Sequence, residues 1–382
     1  MSARGFVASG VACGIKESGA PDLALVATAD GRPVPAAAVF TSNLAPAAPV
    51  QVSRAHLEAT GGFASAVVIN SGNANAATGA AGREQAEQTC ATVAEGLGCR
   101  PEEVLVCSTG LIGIPLPFAA LQSGIAPLLA ARHASGFPDA ALAMMTTDMS
   151  PKDVLRSGEG FVVRGIAKGA AMLAPNMATM LAVLTTDAGS SPAELRAALR
   201  AAVAHSFNDL SVDGATSTND TVIALAAGGA GARPALAGVM ADVCAELATL
   251  MADGAEGATK RARIRVTGAA SVTDAGRAAR KVAESQLVQC SLYGADPYWG
   301  RIVSELGSSG AAFDPDRVSI AYGGVEVCRA GVACDRDDGA LAAAMAARNV
   351  EITADLGLGD GTAVVTFTDL SPEYIAENMR TS

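Results

Sequence analysis

At 382 residues the chain is long enough to bury a substantial core, as one large domain or as two ordinary ones. Half of its residues are hydrophobic but only 4% are aromatic, which points to a globular α/β protein whose core is Ala, Val, Leu and Ile. Its 27 Lys and Arg against 38 Asp and Glu leave a formal charge of -11, an acidity that repels phosphate backbones and excludes nucleic acid as a partner.

The first apolar stretch, FVASGVACGI, follows a single early Arg and is broken by Gly10 and Gly14, so it makes a poor signal peptide. Aliphatic runs at 23–28, 66–70 and 104–109 read as buried strands, and a helix is expected over 83–97. The clearest helix start is SSPAEL. There Ser191 can cap, Pro192 suits the first helical position and Glu194 completes a capping box before an Ala/Leu-rich run to His205. Further strands are expected at 180–186, 264–267, 318–322, 350–355 and 363–367, and further helices at 236–251 and 275–284. The most apolar region, 166–184, contains Lys168, Pro175 and Asn176 and falls short of the roughly 18 uninterrupted apolar residues of a membrane span. The eight cysteines are scattered without a CxxC pair, which suits reduced core thiols in a soluble cytoplasmic protein. No repeat, charged tail or low-complexity linker marks a domain boundary.

The chemistry concentrates in KGAAMLAPNMATMLAVLTTDA, residues 168–188, where a Gly/Pro-containing loop delivers Thr179 to the start of an apolar strand. A threonine in that place can simply be serving β-propensity. No GxSxG is present, however, and the only histidines are His56, His133 and His205. His56 and His205 sit in helix-like contexts that read as surface or capping positions, without a Ser or Cys signature. A threonine nucleophile can manage without histidine if the peptide bond before it is cut. The liberated α-amine, with a pKa near ~7.7 to 8.0, then serves as the base.

The segment APNMATML is similar to the cleavage and nucleophile motif of the ornithine acetyltransferase, or glutamate N-acetyltransferase, family. Matching segments run in order from GFVASGVACGIK through AAVFTSNLAPAAPVQVSR, VINSGNANAATG, CSTGLIG, MTTD, DGATSTNDT, EGATK and GADPYWGR to DLS, covering nearly the whole chain. The resemblance implies a four-layer αββα sandwich of the DmpA/ornithine acetyltransferase type, related to but connected differently from N-terminal nucleophile hydrolases. It also implies scission between Ala178 and Thr179, so that residues 1–178 and 179–382 become the α and β chains of one intertwined unit, assembled as an α2β2 heterotetramer. The implied reaction is ping-pong transfer of acetyl from N-acetylornithine to glutamate through acetyl-Thr179, with no cofactor and no metal. Some members also accept acetyl-CoA as acetyl donor; others only recycle.

The same resemblance assigns the oxyanion hole to the Thr109 hydroxyl and the Gly110 backbone N–H. Read alone, Gly110 is equally a strand-to-helix turn. It assigns substrate binding to Thr146, Lys168, Thr179, Glu256, Asn378 and Ser382. Lys168 lies in an apolar stretch where an unpaired ammonium is costly, so it calls for either a substrate carboxylate or a structural ion pair. Read alone, Thr146 is a helix-end cap and Glu256 a solvated loop charge. Family members close with an Asn followed by five residues, whereas here Asn378 is followed only by MRTS, so Asn378 matches the pattern and Ser382 departs from it. DGATSTNDT and ADPYWGR carry no role at residue level. The rival readings are an autoprocessed aminopeptidase or amidase with the same nucleophile, passing its acyl group to water, and an uncleaved binding protein in which Thr179 stays blocked.

Overall fold

Short aliphatic segments dominate the chain, and their pairing produces three sheets. The computed structural model describes residues 3–172, 180–228 and 233–379. The first sheet has the order β1 (Phe6–Val11), β2 (Leu23–Thr28), β5 (Ala66–Asn73), β6 (Val104–Leu111), with β5 and β6 parallel. The second has the order β4 (Phe63–Ala64), β3 (Val34–Phe40), β11 (Thr221–Ala226), β9 (Leu181–Thr186), β8 (Phe161–Lys168), β7 (Lys152–Gly158). In it β11 and β9 are parallel and the other pairs antiparallel.

These two sheets face one another. Ala24, Val26, Val67, Ile69 and Leu105 from the first pack with Ile166, Leu181, Val183, Ile223 and Leu225 from the second, and α4 (Phe137–Met144) adds Phe137 and Met144 at one side. Because alternate side chains of a strand point to opposite faces, the remaining apolar residues look outward and need cover. Over the first sheet it comes from α1 (Ala48–Ala59), α2 (Gly79–Leu97) and α3 (Phe118–Ala130), through Val52, Cys90, Val93, Leu121 and Ile125. Over the second it comes from α5 (Pro192–Ala204) and α6 (Leu236–Asp253), through Leu195, Leu199, Val243 and Leu247. The result is the expected αββα sandwich, and α5 starts with the expected box: Glu194 N donates to Ser191 Oγ at 3.3 Å and Ser191 N to Glu194 Oε2 at 2.8 Å.

The third sheet adds a lobe beyond that sandwich. Its order is β10 (Leu210–Ser211), β17 (Gly361–Thr368), β12 (Arg261–Ala269), β16 (Asn349–Asp355), β13 (Ser319–Tyr322), β14 (Val325–Arg329), β15 (Val332–Ala333). Its core is shared with α7 (Val272–Ala283), α8 (Gln286–Tyr293), α9 (Trp299–Gly307) and α10 (Asp338–Ala346). The ADPYWGR segment belongs here: Trp299 opens α9 and packs against this core. The last helix, α11 (Pro372–Asn378), leaves the lobe and returns toward the sandwich.

Every expected strand forms, most a residue or more longer than expected, and the stretch read as a poor signal peptide begins with strand β1. Two expectations need correction. All eight cysteines are free, but only Cys90, Cys107, Cys244 and Cys328 are buried; Cys290 is exposed. His56 is neither a surface nor a capping residue. It is 5% exposed, with Nδ1 2.8 Å from Val104 O and Nε2 2.9 Å from Glu87 Oε2, so both ring nitrogens are occupied in tying α1 to β6 and α2. His205, at the end of α5, is exposed as expected.

Candidate active site

Strand register brings the site together. Lys168 ends β8 opposite Leu181, the first residue of β9, and Thr221 starts β11 opposite the same Leu181. Thr109 and Gly110 lie near the end of β6 in the facing sheet. The residues joining β8 to β9 include Ala178 and Thr179, which lie outside the described residues, as does Ser382. Thr179 is bonded to Met180, and Met180 is held from both sides. Its N–H donates to Asp220 Oδ1 at 3.0 Å, and its carbonyl accepts from Thr221 N at 3.1 Å.

Gly110 has φ +129° and pairs with Gly72 of β5; a Cβ at Gly110 would lie 2.3 Å from the Gly72 carbonyl carbon. Only glycine fits there, so the site needs it for steric reasons that the turn reading alone did not supply. Thr109 is buried, and Lys168 Nζ donates to its Oγ1 at 3.2 Å. An ammonium can only donate, so Thr109 acts as acceptor toward Lys168 and its own hydroxyl hydrogen is left to point elsewhere.

Polar side chains of DGATSTNDT and of VINSGNANAATG frame this strand end. Asn219 Nδ2 bonds both Ala74 O at 2.6 Å and Ser108 O at 2.8 Å, clamping the two sheets one residue from Thr109. Asn73 Nδ2 bonds Ile114 O and Pro115 O and so holds the loop after Gly110, while Asn70 accepts from Ser108 Oγ at 2.5 Å. Asp213, at the head of DGATSTNDT, accepts from Met172 N and Tyr374 Oη. These segments act as structural support for the site.

Lys168 is 3% exposed, and burial pushes its ammonium below the usual lysine value against the pull of Asp148, Glu256 and Asp220. Among the described residues no carboxylate oxygen comes within 4.0 Å of its Nζ. Asp148, the Asp of MTTD, pairs instead with the equally buried Lys152 at 2.5 Å, and accepts Gly169 N at 2.7 Å and Thr146 N at 3.1 Å. Burial alone would raise the Asp148 carboxyl, but Lys168, Lys152 and these hydrogen bonds overcome it and bring it down to about 2. A carboxyl depressed in the folded state stabilises fully above its ordinary value near 3.8, and that contribution is lost as pH falls through about 2. Acid titration should therefore remove ~2 kcal/mol of folding stability between roughly pH 4 and pH 2 through this group. Chemical denaturation across that range in the wild type and Asp148→Asn checks it; an equal acid slope in both proteins would contradict it.

Glu256 is not a solvated loop charge. It is 9% exposed, its N–H donates to Ala170 O at 3.0 Å, and its Oε2 accepts from Asn378 Nδ2 at 2.9 Å. The pair forms because α11 docks on Gly257: Ser371 Oγ donates to Gly257 O at 2.7 Å, and Gly257, at φ +61°, would carry a Cβ only 2.3 Å from Tyr374 N. Thr146 lies just beyond the end of α4, half-buried, and its backbone N–H donates to Asp148 Oδ2. The structure thus gathers Thr109, Gly110 and Lys168, links Thr146 to them through Asp148, and pairs Glu256 with Asn378.

Sequence reading missed Asp148, Lys152 and Asp220. Asp220 is fully buried, and burial drives its carboxyl well above the usual range despite the bond from Met180 N and the charge of Lys168. Among the described residues no cluster of His, Cys, Asp and Glu has the make-up of a metal site, and no helix is long and apolar enough to cross a membrane.

A buried threonine and a sterically required glycine thus stand at one strand end of an α/β sandwich, beside a buried lysine that has no carboxylate partner among the described residues. A model of the ArgJ family matches residues 7–381. The arginine biosynthesis bifunctional protein ArgJ of Thermobifida fusca is 44% identical over 98% of this chain and 97% of its own, and that of Mycobacterium tuberculosis H37Rv is 46% identical over 98% and 94%. The chain belongs to the ArgJ family and is an acyltransferase of arginine biosynthesis. Among solved structures, an ArgJ protein of Bacillus halodurans is 33% identical, covering 51% of this chain and 95% of its own, with a TM-score of 0.48. An ornithine acetyltransferase of M. tuberculosis, complexed with ornithine, is 45% identical, covering 45% of this chain and 92% of its own, with a TM-score of 0.43.

Proposed function

We propose that the chain cuts itself between Ala178 and Thr179 and then moves acetyl from N-acetylornithine to glutamate by way of an acetyl ester on Thr179. The observation that carries this reading is the convergence of Thr109, Gly110 and Lys168 on the end of the sheet from which β9 starts, one residue beyond Met180. In cleavage the Thr179 hydroxyl attacks the Ala178 carbonyl and the C–N bond breaks, which frees the α-amine and leaves Ala178 as an ester on Thr179; water then hydrolyses that ester, giving the Ala178 carboxylate and restoring the Thr179 hydroxyl. In transfer that amine takes the hydroxyl proton as oxygen attacks the acetyl carbon. Thr109 Oγ–H and Gly110 N–H donate to the oxyanion, ornithine leaves with the proton, and the amine of glutamate attacks the ester in turn.

Strands β3, β4, β7 and β8 precede the cut and β9 and β11 follow it within one sheet, so the two products would remain interleaved. Assembly as α2β2, a cytoplasmic setting and use of acetyl-CoA as a second acetyl donor belong to the same reading. No cofactor is needed, since nucleophile, base and oxyanion donors all come from the chain.

Intact-mass measurement of the purified protein should find two fragments meeting at Ala178 and Thr179, the second beginning TMLAV. Turnover of N-acetylornithine should require glutamate. An active protein present wholly as one intact chain would sink the mechanism, and equal release of ornithine without glutamate would favour an amidase.

A further inference from the structure

Lys16 belongs to the first motif, GVACGIK, and has no role in the site as described so far. Its position is built with some care. The carboxylate of Asp22, fully buried at the head of β2, accepts four successive backbone N–H groups: Cys13 at 2.7 Å on Oδ1, and Gly14 at 3.2 Å, Ile15 at 2.7 Å and Lys16 at 3.0 Å on Oδ2. The loop is thereby fixed to the sheet that carries the oxyanion strand.

From there the side chain of Lys16 lies along Gly72. A Cβ on Gly72 would come within 3.1 Å of Lys16 Cγ, and Gly72 is the residue paired with Gly110. The half-buried ammonium donates to Pro21 O at 2.7 Å and, among the described residues, has no carboxylate oxygen within 4.0 Å. The charged groups that act on it are Asp22, already saturated by amides, then Lys168 and Asp148. Two cations, Lys16 and Lys168, therefore act on each other, with Lys168 bonded to Thr109, and the negative charge that acts on Lys168 from the far side of the chain is Glu256, held by Asn378.

An N-acetyl amino acid has matching polarity. With its acetyl carbonyl oxygen at Thr109 and Gly110, only the amide nitrogen and Cα separate the acetyl carbon from the α-carboxylate, which must therefore lie beside the oxyanion strand. We propose that Lys16 binds the α-carboxylate of the amino-acid substrate, in donor and acceptor alike, leaving Glu256 for the distal ammonium of ornithine. This deepens the acetyl-transfer reading and rests on it.

The test compares N-acetylornithine with N-acetyl-1,4-diaminobutane, the same donor lacking only the α-carboxylate, in the wild type, Lys16→Met and Lys16→Arg. A hydrogen bond to a charged group predicts that Lys16→Met lowers kcat/KM for N-acetylornithine by roughly 10- to 100-fold, chiefly through KM. The decarboxylated donor should lose less than about 3-fold, so the preference between the two collapses, and Lys16→Arg should keep most of it. Equal losses on both donors would mean that Lys16 only supports the strand, and unchanged values would mean that it does not meet substrate; either overturns the proposal. Lys16→Gln, able to keep the bond to Pro21 O, replaces the Met variant if that protein does not fold. If the wild type fails to turn over N-acetylornithine, the acetyl-transfer reading has failed instead. Equilibrium binding of ornithine against 1,4-diaminobutane in the same variants would then decide the role of Lys16 by itself.

Discussion

Thr179→Ala should yield a folded, uncut chain of 382 residues with no measurable acetyl transfer. The substitution removes one methyl and one hydroxyl, and Met180, the next residue, remains held by Asp220 and Thr221. Stability should therefore change little. Chemistry should change entirely, because the same hydroxyl attacks the Ala178 carbonyl in cleavage and the acetyl carbon in transfer. Without cleavage the α-amine stays in an amide and cannot act as base. Mass spectrometry of the variant, with rate measurement at high enzyme concentration, reads both consequences at once. Thr179→Ser, which keeps a hydroxyl, should return both cleavage and part of the turnover. A cut alanine variant, or an uncut one that still transfers acetyl at a wild-type rate, would move the nucleophile elsewhere.

What could be read along the chain was local, and what could not was long-range. The αββα layers were expected from the family resemblance alone, whereas strands such as β2, β5 and β6 were legible as continuous aliphatic runs, and α5 announced its own start through Ser191, Pro192 and Glu194. Thr109 and Gly110 were legible as one short motif. The third sheet was not, although most of its strands were expected singly. Its central pairs join β12 to β16 and β17, more than 80 residues away, and no local pattern records such a pairing. The charges behaved in the same way. Asp148 carried no reading of its own within MTTD, yet folding sets it between Lys152 and Lys168. Glu256 looked solvated because nothing near it in sequence reveals that α11 returns to cover it. His56 was misread for the same reason, since its partners Val104 and Glu87 lie on other elements. Residue type thus signalled what a group could do, and the register of β8, β9 and β11 decided which of those groups meet.

Thr109→Ala should lower kcat by roughly 10²- to 10³-fold, the usual effect of removing one oxyanion donor, with KM for N-acetylornithine nearly unchanged. Geometry supports assigning the loss to the transition state. Lys168 Nζ already fills one acceptor direction of Thr109 Oγ1 at 3.2 Å, which turns the hydroxyl hydrogen away from the lysine. A neutral acetyl oxygen gains little from that hydrogen, whereas the tetrahedral oxyanion gains a charge-assisted bond. Thr109→Ser retains the oxygen and should keep most of the rate. Thr109→Val, which fills the same space without an oxygen, should fall as far as alanine and so exclude a packing defect. The three variants also separate Thr109 from Lys168. If the hydroxyl served mainly to hold the ammonium, its loss would leave Lys168 without that acceptor and the defect would appear in substrate binding. A KM effect of the size expected here for kcat, in both the alanine and valine proteins, would reassign Thr109 from oxyanion donor to a positioning residue for Lys168.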